Sequence, residues 1–430
     1  MSRPDEVAIS LARWAAELTP DADDVALADR SLLDTVAVAL AARDHRVTRL
    51  AASLPEHALW AVAGHVLDFD DLHMPSTAHV SAICVPTALA TGGGSRAFLA
   101  AAGVMARLGT ALGWRHYSAG WHATCTAGAP ASAAGAAVAL GLPAEQIAVA
   151  MALAVPAAGG VQRAFGTDAK SLQVGFAVDA GIRAARLAAA GAQADAGAVG
   201  AWLGLVGGDP AAVELSGPAV PDGLAIKLYP CCYALQRPIS TLSGLAGPRL
   251  DPAQVRRIVL RTPQATVTPL IHHRPQSGLQ GKFSLEYAAA AALLDEYPGF
   301  GSFTDAAVRR EAARRLTALV ETKLEPGGSG LLDGELEAEI HTSDGAIMRA
   351  SQQFPPGSPG RPASPAELRA KLADCVRGLD TDPATWTWQN AAVTLRRFLP
   401  QLGRDPRQAE VRISGSARGL VEHPHLAAGD

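Results

Sequence analysis

No CxxC pair, no HExxH motif and no run of lysine and arginine occurs in this chain, and each absence removes a class of function. Without paired cysteines there is no ribbon-type zinc shell and no dithiol redox centre, and without HExxH there is no zincin-type metal helix. The five cysteines, Cys84, Cys125, Cys231, Cys232 and Cys375, are an odd number and too sparse for a disulfide framework, so a reducing, cytoplasmic setting is expected. The adjacent Cys231 and Cys232 read as two small buried residues. A net charge of -4 with both signs interspersed supplies no basic field, which argues against nucleic acid and against a membrane surface as partners. The first residues, Met1-Ser2-Arg3-Pro4-Asp5-Glu6, lack the basic-then-apolar order of a secretory signal. The longest weakly charged stretch, 123–142, is built of Ala, Gly, Ser and Thr and interrupted by Pro130; it is too feebly apolar for a membrane span and reads as close-packed interior helix.

What the chain does have is length and apolar content: 430 residues, 49% of them hydrophobic, enough for two domains with a core each. Val7, Leu11, Trp14, Ala15 and Leu18, and again Leu33, Val36, Ala37 and Leu40, recur at helical spacing, which predicts an all-helical domain over 1–243. The segments 131–142 and 177–191 are rich in small residues, which lets helix backbones approach closely. After Pro248 the pattern changes. Residues 254–262 (QVRRIVLRT) favour a strand, and 335–342 alternates Leu336, Ala338 and Ile340 with Glu335, Glu337 and Glu339. The turn Ser343-Asp344-Gly345 then leads into 346–351, a β-hairpin. With helices expected at 283–294 and 305–320, the region 244–384 reads as a smaller α+β domain. The segment 354–362 (FPPGSPGRP) excludes regular structure, while Ser364, Pro365 and Glu367 supply an N-cap, a first-turn proline and a capping-box acid for a helix through Arg377. A helical pattern returns at 386–398, so 385–430 is expected to complete the first domain, with the final dozen residues frayed. No internal repeat is found.

The densest chemistry lies between His65 and His79, where three imidazoles (His65, His73, His79) and three carboxylates (Asp68, Asp70, Asp71) fall within fifteen residues. Such a cluster is costly to bury unless its members pair or bind something. It could hold zinc, iron or manganese, although its spacing matches no standard ligand set. It could equally perform acid/base chemistry with a carboxylate orienting an imidazole, or form a helix-capping network. Further candidates are His122 with Thr124 at the start of an Ala/Gly-rich helix, where backbone N–H groups face an anion, and Lys170 in the polar island 166–173. The segment 227–237 (KLYPCCYALQR), near the domain junction, and Tyr287 complete the set.

Taken in order, HVLDFDDLHMPSTAHVSAICVPTALA (65–90), GWHATCTAG (120–128), KSLQVG with GIRAARLAAAG (170–191), KLYPCC (227–232) and FSLEYAAA (283–290) resemble the MmgE/PrpD family over most of the chain. The resemblance implies a mainly helical domain with a smaller α+β lid domain, a homodimer, and a cleft between the domains for di- or tricarboxylates. Family members include 2-methylcitrate dehydratase, cis-aconitate decarboxylase and an imino-dicarboxylate epimerase, none of which needs a metal or organic cofactor. The family's functional positions fall on Asp68, His79, His122, Lys170 and Tyr287. Lys227, Thr124, Gln173, Gln236 and Lys282 are the candidate substrate contacts.

This sequence also departs from the family. Leu72 stands where the decarboxylase branch carries a hydroxyl residue, and the turn before His79 is one residue longer than in that branch. Gln173 and Gln236 replace histidines, which keeps hydrogen bonding and removes titratable groups. The resemblance implies acid/base roles for His79 and His122, an orienting role for Asp68, a carboxylate-binding role for Lys170 and a hydrogen bond from Tyr287 on lid closure. The expected function is a cofactor-independent lyase on a small polycarboxylate, 2-methylcitrate dehydration first and decarboxylation or epimerisation of a related acid second. From other classes, a metal-dependent hydrolase built on 65–79 and a non-catalytic polycarboxylate-binding protein stay open.

Overall fold

Apolar side chains at helical spacing fold the first half of the chain into ten α-helices, from Val7–Glu17 to Gly197–Leu205, in a computed structural model that describes residues 6–247, 250–326 and 334–400. At their centre runs the helix Ala123–Ala139, buried along nearly its whole length. It packs against Gly94–Ser118 on one side and Ala169–Ala189 on the other. Small residues make this possible. A Cβ added to Gly135 would lie 2.8 Å from the Ala97 carbonyl oxygen, and one added to Gly181 would lie 2.7 Å from that of Ala129. Either would force the helices apart. The helix runs through Pro130 without a break. Gly94–Ser118 is long and apolar enough by composition to cross a membrane, yet 83% of its apolar window is buried inside the fold, as in a core helix.

A second core begins at Ile226 and extends to Ile340. Its frame is a mixed four-stranded sheet of β1 (Val255–Pro263), β2 (Val320–Glu325), β3 (Leu336–Thr342) and β4 (Ile347–Gln352), in the order β2-β1-β3-β4. β1 pairs parallel with β2 and antiparallel with β3, and β3 and β4 form the expected hairpin with Glu339 opposite Arg349. The inward Leu336, Ala338 and Ile340 pack toward the helix Gln236–Ala246, which in turn packs on Leu285–Leu294 in the same core. The architecture is thus mainly helical with a small mixed sheet.

Three local expectations change. The helix expected over 305–320 is two short helices, Asp305–Arg309 and Glu311–Thr317, because Arg310 adopts an extended conformation (ψ 136°) and clasps Asp295 with two hydrogen bonds. Its end is the edge strand β2, whose side chains are largely exposed and give no burial alternation to read. The last helix starts at Ala391, since Asp382 caps a 3-10 turn at Pro383–Thr385 and Asn390 closes the next turn. The final dozen residues lie outside the described ones.

By membership, the first core spans Val7 to Leu224 and then resumes at Leu368, Leu372, Cys375 and Val376. The change of core therefore falls between Leu224 and Ile226, ahead of the 243/244 boundary read from periodicity, and the helix Pro365–Cys375 packs on Ala22–Ala41 of the first core. Ser364 and Glu367 form the capping box that starts it. Its Lys371 is fully buried, pairs with Asp34 and donates to the Phe69 carbonyl at 2.9 Å. Removing one partner of a buried pair strands the other charge. Lys371→Ala is expected to lower the unfolding free energy in urea by about 3–5 kcal/mol; a loss below about 1 kcal/mol would show that Asp34 is relieved in another way.

Candidate active site

Four helix ends meet around the segment from His65 to His79. Glu56–His65 ends on His65, Ser81–Thr91 starts two residues after His79, Ala123–Ala139 starts after its N-cap residue His122, and Ala169–Ala189 carries Lys170 and Gln173 in its opening turns. Three of the four present N-termini, whose partial positive charge favours an anion and disfavours imidazolium. The His65 ring lies 4.7 Å from His79 edge-on and 5.7 Å from His122, centroid to centroid.

Asp68 adopts a left-handed backbone conformation (φ 54°), a conformation that aspartate tolerates better than most residues. Its N–H donates to the His65 carbonyl at 3.0 Å and its own carbonyl accepts Lys227 Nζ at 2.7 Å. The half-buried carboxylate takes Lys170 Nζ at 3.1 Å and Lys227 Nζ at 3.4 Å. Burial alone would raise its pKa, but the two ammonium groups outweigh that and hold it well below the usual range. Two residues on, the fully buried Asp70 accepts from His65 Nδ1 at 2.8 Å and lies 3.1 Å from His79 Nδ1 in a contact too bent for a full hydrogen bond. Burial would raise Asp70 as well, and the two imidazoles hold it down instead. Burial pulls His65 down to about 4 against the attraction of Asp70, so the ring is neutral. Asp71 turns the other way. It accepts the Ser81 N–H at 3.0 Å and the Ser81 hydroxyl, which satisfies the start of the helix behind His79.

Among the expected catalytic residues, Asp68, His79, His122 and Lys170 come together here. Tyr287 does not join them: it is buried in the second core, its hydroxyl donates to the Ser302 carbonyl and its ring packs on Phe303, so a hydrogen bond from it to substrate is not what this geometry provides. Gln236 is also engaged elsewhere in this structure. Its amide oxygen accepts from the N–H groups of Leu228 and Tyr229 (2.8 and 3.0 Å) and its nitrogen donates to the Tyr229 carbonyl at 2.8 Å, so it braces the Lys227–Cys232 segment from within. Thr124 accepts the backbone N–H of His79 at 3.0 Å and so holds the main chain there, while Gln173 reaches His122 Nδ1 at 2.6 Å and orients that imidazole. Lys227 is tied to Asp68. Lys282 is different, because its partly exposed ammonium has no hydrogen-bond partner among the described residues, while burial lowers its pKa against the pull of Cys231 and Asp68. His73 is structural, bonded to Ser76 Oγ at 2.7 Å and the Pro221 carbonyl at 2.9 Å. His65 and Asp70, which motif reading did not single out as catalytic, lie at the centre.

Ligand atoms of His65, Asp70 and His79 all fall within 4.8 Å of one another, the spacing of a possible metal site. Asp70 is already engaged by both imidazoles, and the ammonium groups of Lys170 and Lys227 beside Asp68 oppose a dication. The donor set therefore fits proton chemistry better than a metal shell.

Two family models match the chain, the MmgE/PrpD N-terminal domain over residues 54–204 and the MmgE/PrpD C-terminal domain over residues 229–387. The interval between them contains the change of core at 224–226. A cis-aconitate decarboxylase of Aspergillus terreus is 26% identical over 338 residues, covering 67% of this chain and 68% of the relative. The cis-aconitate decarboxylase of Aspergillus terreus strain NIH 2624 / FGSC A1156 matches with the same identity and coverage.

Burial, reinforced by Asp34 and Asp70 and opposed by the bonds from Ser81, pushes Asp71 up to about 7. Between the ordinary carboxylate value and 7 the folded state keeps a proton that the unfolded chain releases, so this group's contribution to stability falls as pH rises through that window. Asp71→Asn cannot titrate. Relative to wild type it is expected to gain stability between about pH 5 and pH 7, on the order of 1.4 kcal/mol per pH unit in urea unfolding; a difference that stays constant with pH would refute the raised pKa.

Proposed function

The chain belongs to the MmgE/PrpD family, and from that membership together with the clustered imidazoles we propose that it is a lyase acting on a small polycarboxylate, with 2-methylcitrate-like dehydration as the leading reaction. The observation that carries this reading is the pairing of uncharged imidazoles with a free cation. His65 and His122 are held neutral by burial, and the Lys282 ammonium, which feels the charges of Asp68 and Lys227, has no hydrogen-bond partner among the described residues. A carbon acid next to a carboxylate needs those parts: a base for the C–H proton, a donor for the oxygen on which charge builds, and a cation that anchors a carboxylate. Lys282 supplies the anchor, and Lys170 and Lys227 keep Asp68 ionised beside the histidines.

Decarboxylation is the second reading, favoured by the likeness to the cis-aconitate decarboxylases of Aspergillus terreus. Against it stands Leu72, buried against Ala225 and Tyr233. The same base and anchor would serve that reaction with a different leaving group.

Proton NMR of the metal-stripped protein in deuterated water, with 2-methylcitrate, citrate, cis-aconitate and smaller hydroxy- and amino-dicarboxylates, separates these outcomes. Loss of a substrate signal or deuterium entry next to a carboxylate is expected, and the product identifies the reaction. His79→Gln should lower turnover by about a hundredfold or more. Activity that appears only on adding zinc, iron or manganese would overturn the proposal in favour of the metal reading.

A further inference from the structure

His122 Nδ1 faces two hydrogen-bond donors. Gln173 Nε2 lies at 2.6 Å and Cys125 Sγ at 3.3 Å. The amide cannot turn round without loss, because its Oε1 accepts the backbone N–H of Val161 at 3.3 Å while Nε2 also reaches the Val161 carbonyl at 3.5 Å. The thiol is a donor too, since burial raises its pKa and keeps it protonated. A ring nitrogen between two donors must offer its lone pair, so it carries no proton.

We propose that Gln173, seconded by Cys125, fixes the His122 proton on Nε2 and makes His122 a neutral hydrogen-bond donor to substrate, leaving His79 as the single base of the reaction proposed above. The groups around His122 agree with a neutral ring: burial disfavours its charged form, His65, His79 and Lys170 add to that, and Asp70 alone opposes. His79 has the reverse arrangement. Its Nδ1 lies 3.1 Å from the Asp70 carboxylate; the contact is too bent for a full hydrogen bond, but the negative charge favours the ring proton on that side, which frees Nε2 to act as the base. That Nε2 is 3.8 Å from Asp68, too far for a hydrogen bond.

The resulting step balances. His79 Nε2 takes the proton from carbon next to a carboxylate, and the electrons of that C–H bond form the new double bond as the C–O bond breaks. The departing hydroxyl leaves as water with the proton returned from His79. His122 Nε2–H hydrogen-bonds the oxygen on which charge builds and neither gains nor loses a proton. A histidine at position 173 could have placed an acceptor against Nδ1 and let the proton sit on either nitrogen. Gln173 is therefore a positioning residue.

Long-range 1H–15N correlation spectra of the full-length protein labelled with 15N-histidine test this directly, with the His122 signals assigned by their loss in His122→Asn. The expected result is a single Nε2–H tautomer that does not titrate between about pH 8 and pH 5. A Nδ1–H tautomer or a charged ring near neutral pH would overturn the proposal. Gln173→Glu places an acceptor on Nδ1; the ring proton should move there or the ring become charged, and kcat should drop about a hundredfold with KM changed far less. An unmoved tautomer in that variant would also overturn it. A Nε2–H tautomer without turnover on any carboxylate would sustain the placement of the proton and sink the lyase reading instead, whereas turnover with the other tautomer would sink the role of Gln173 alone.

Discussion

The carboxylate of Asp68 holds a lysine from each half of the fold. Lys170 comes from the opening turn of Ala169–Ala189 in the first core, and Lys227 from the segment that begins the second. To be reached from both sides, Asp68 must leave the helical path that ends at His65, and its left-handed φ does that within three residues. Everything downstream in the site follows from this turn. It aims Asp70 back at His65 and His79, turns Asp71 outward to Ser81, and exposes the Phe69 carbonyl to Lys371. One short loop is thereby braced by three lysines from distant parts of the chain.

Burial does the remaining electrostatic work. Two carboxylates are held ionised by cations and imidazoles, and a third is pushed toward its protonated form. Burial drives His65 and His122 neutral, so in the proposed reaction the tautomer of His122 rather than its charge carries the chemistry. On that proposal the tautomer is set by Gln173, a neighbour that does not itself titrate. With Asp68 satisfied internally, Lys282 is the site cation without a hydrogen-bond partner among the described residues, which is why the proposal gives it the ligand's carboxylate.

Much of this was legible in the sequence, and the failures have physical causes. β-rich composition located β1, alternation β3 and the Ser343-Asp344-Gly345 turn β4, and the Ser364-Pro365-x-Glu367 signal located its helix, because caps, turns and pleats are written in neighbouring residues. The edge strand β2 buries too little to show alternation, and an extended Arg310 splits a periodic helix for the sake of Asp295. At the site, Asp68, His79, His122 and Lys170 were recognisable by motif, whereas His65 and Asp70 look in sequence like more members of one acidic and imidazole cluster. Only their mutual bond, across a turn of five residues, separates them from His73, whose ring goes to Pro221. Tyr287 and Gln236 show a related limit of sequence: a polar side chain expected at a substrate is here bonded to backbone groups that sequence does not display. Lys371 could not be foreseen, since its partners Asp34 and Phe69 are over three hundred residues away.

The most direct measurement is a crystal structure of the protein with citrate or cis-aconitate bound. The account predicts one carboxylate on Lys282 Nζ and the reacting carbon between His79 and His122. A metal ion ligated by His65, Asp70 and His79, or a ligand seated instead in the roughly 600 Å³ cavity lined by His273, Arg274 and Arg314, would contradict it.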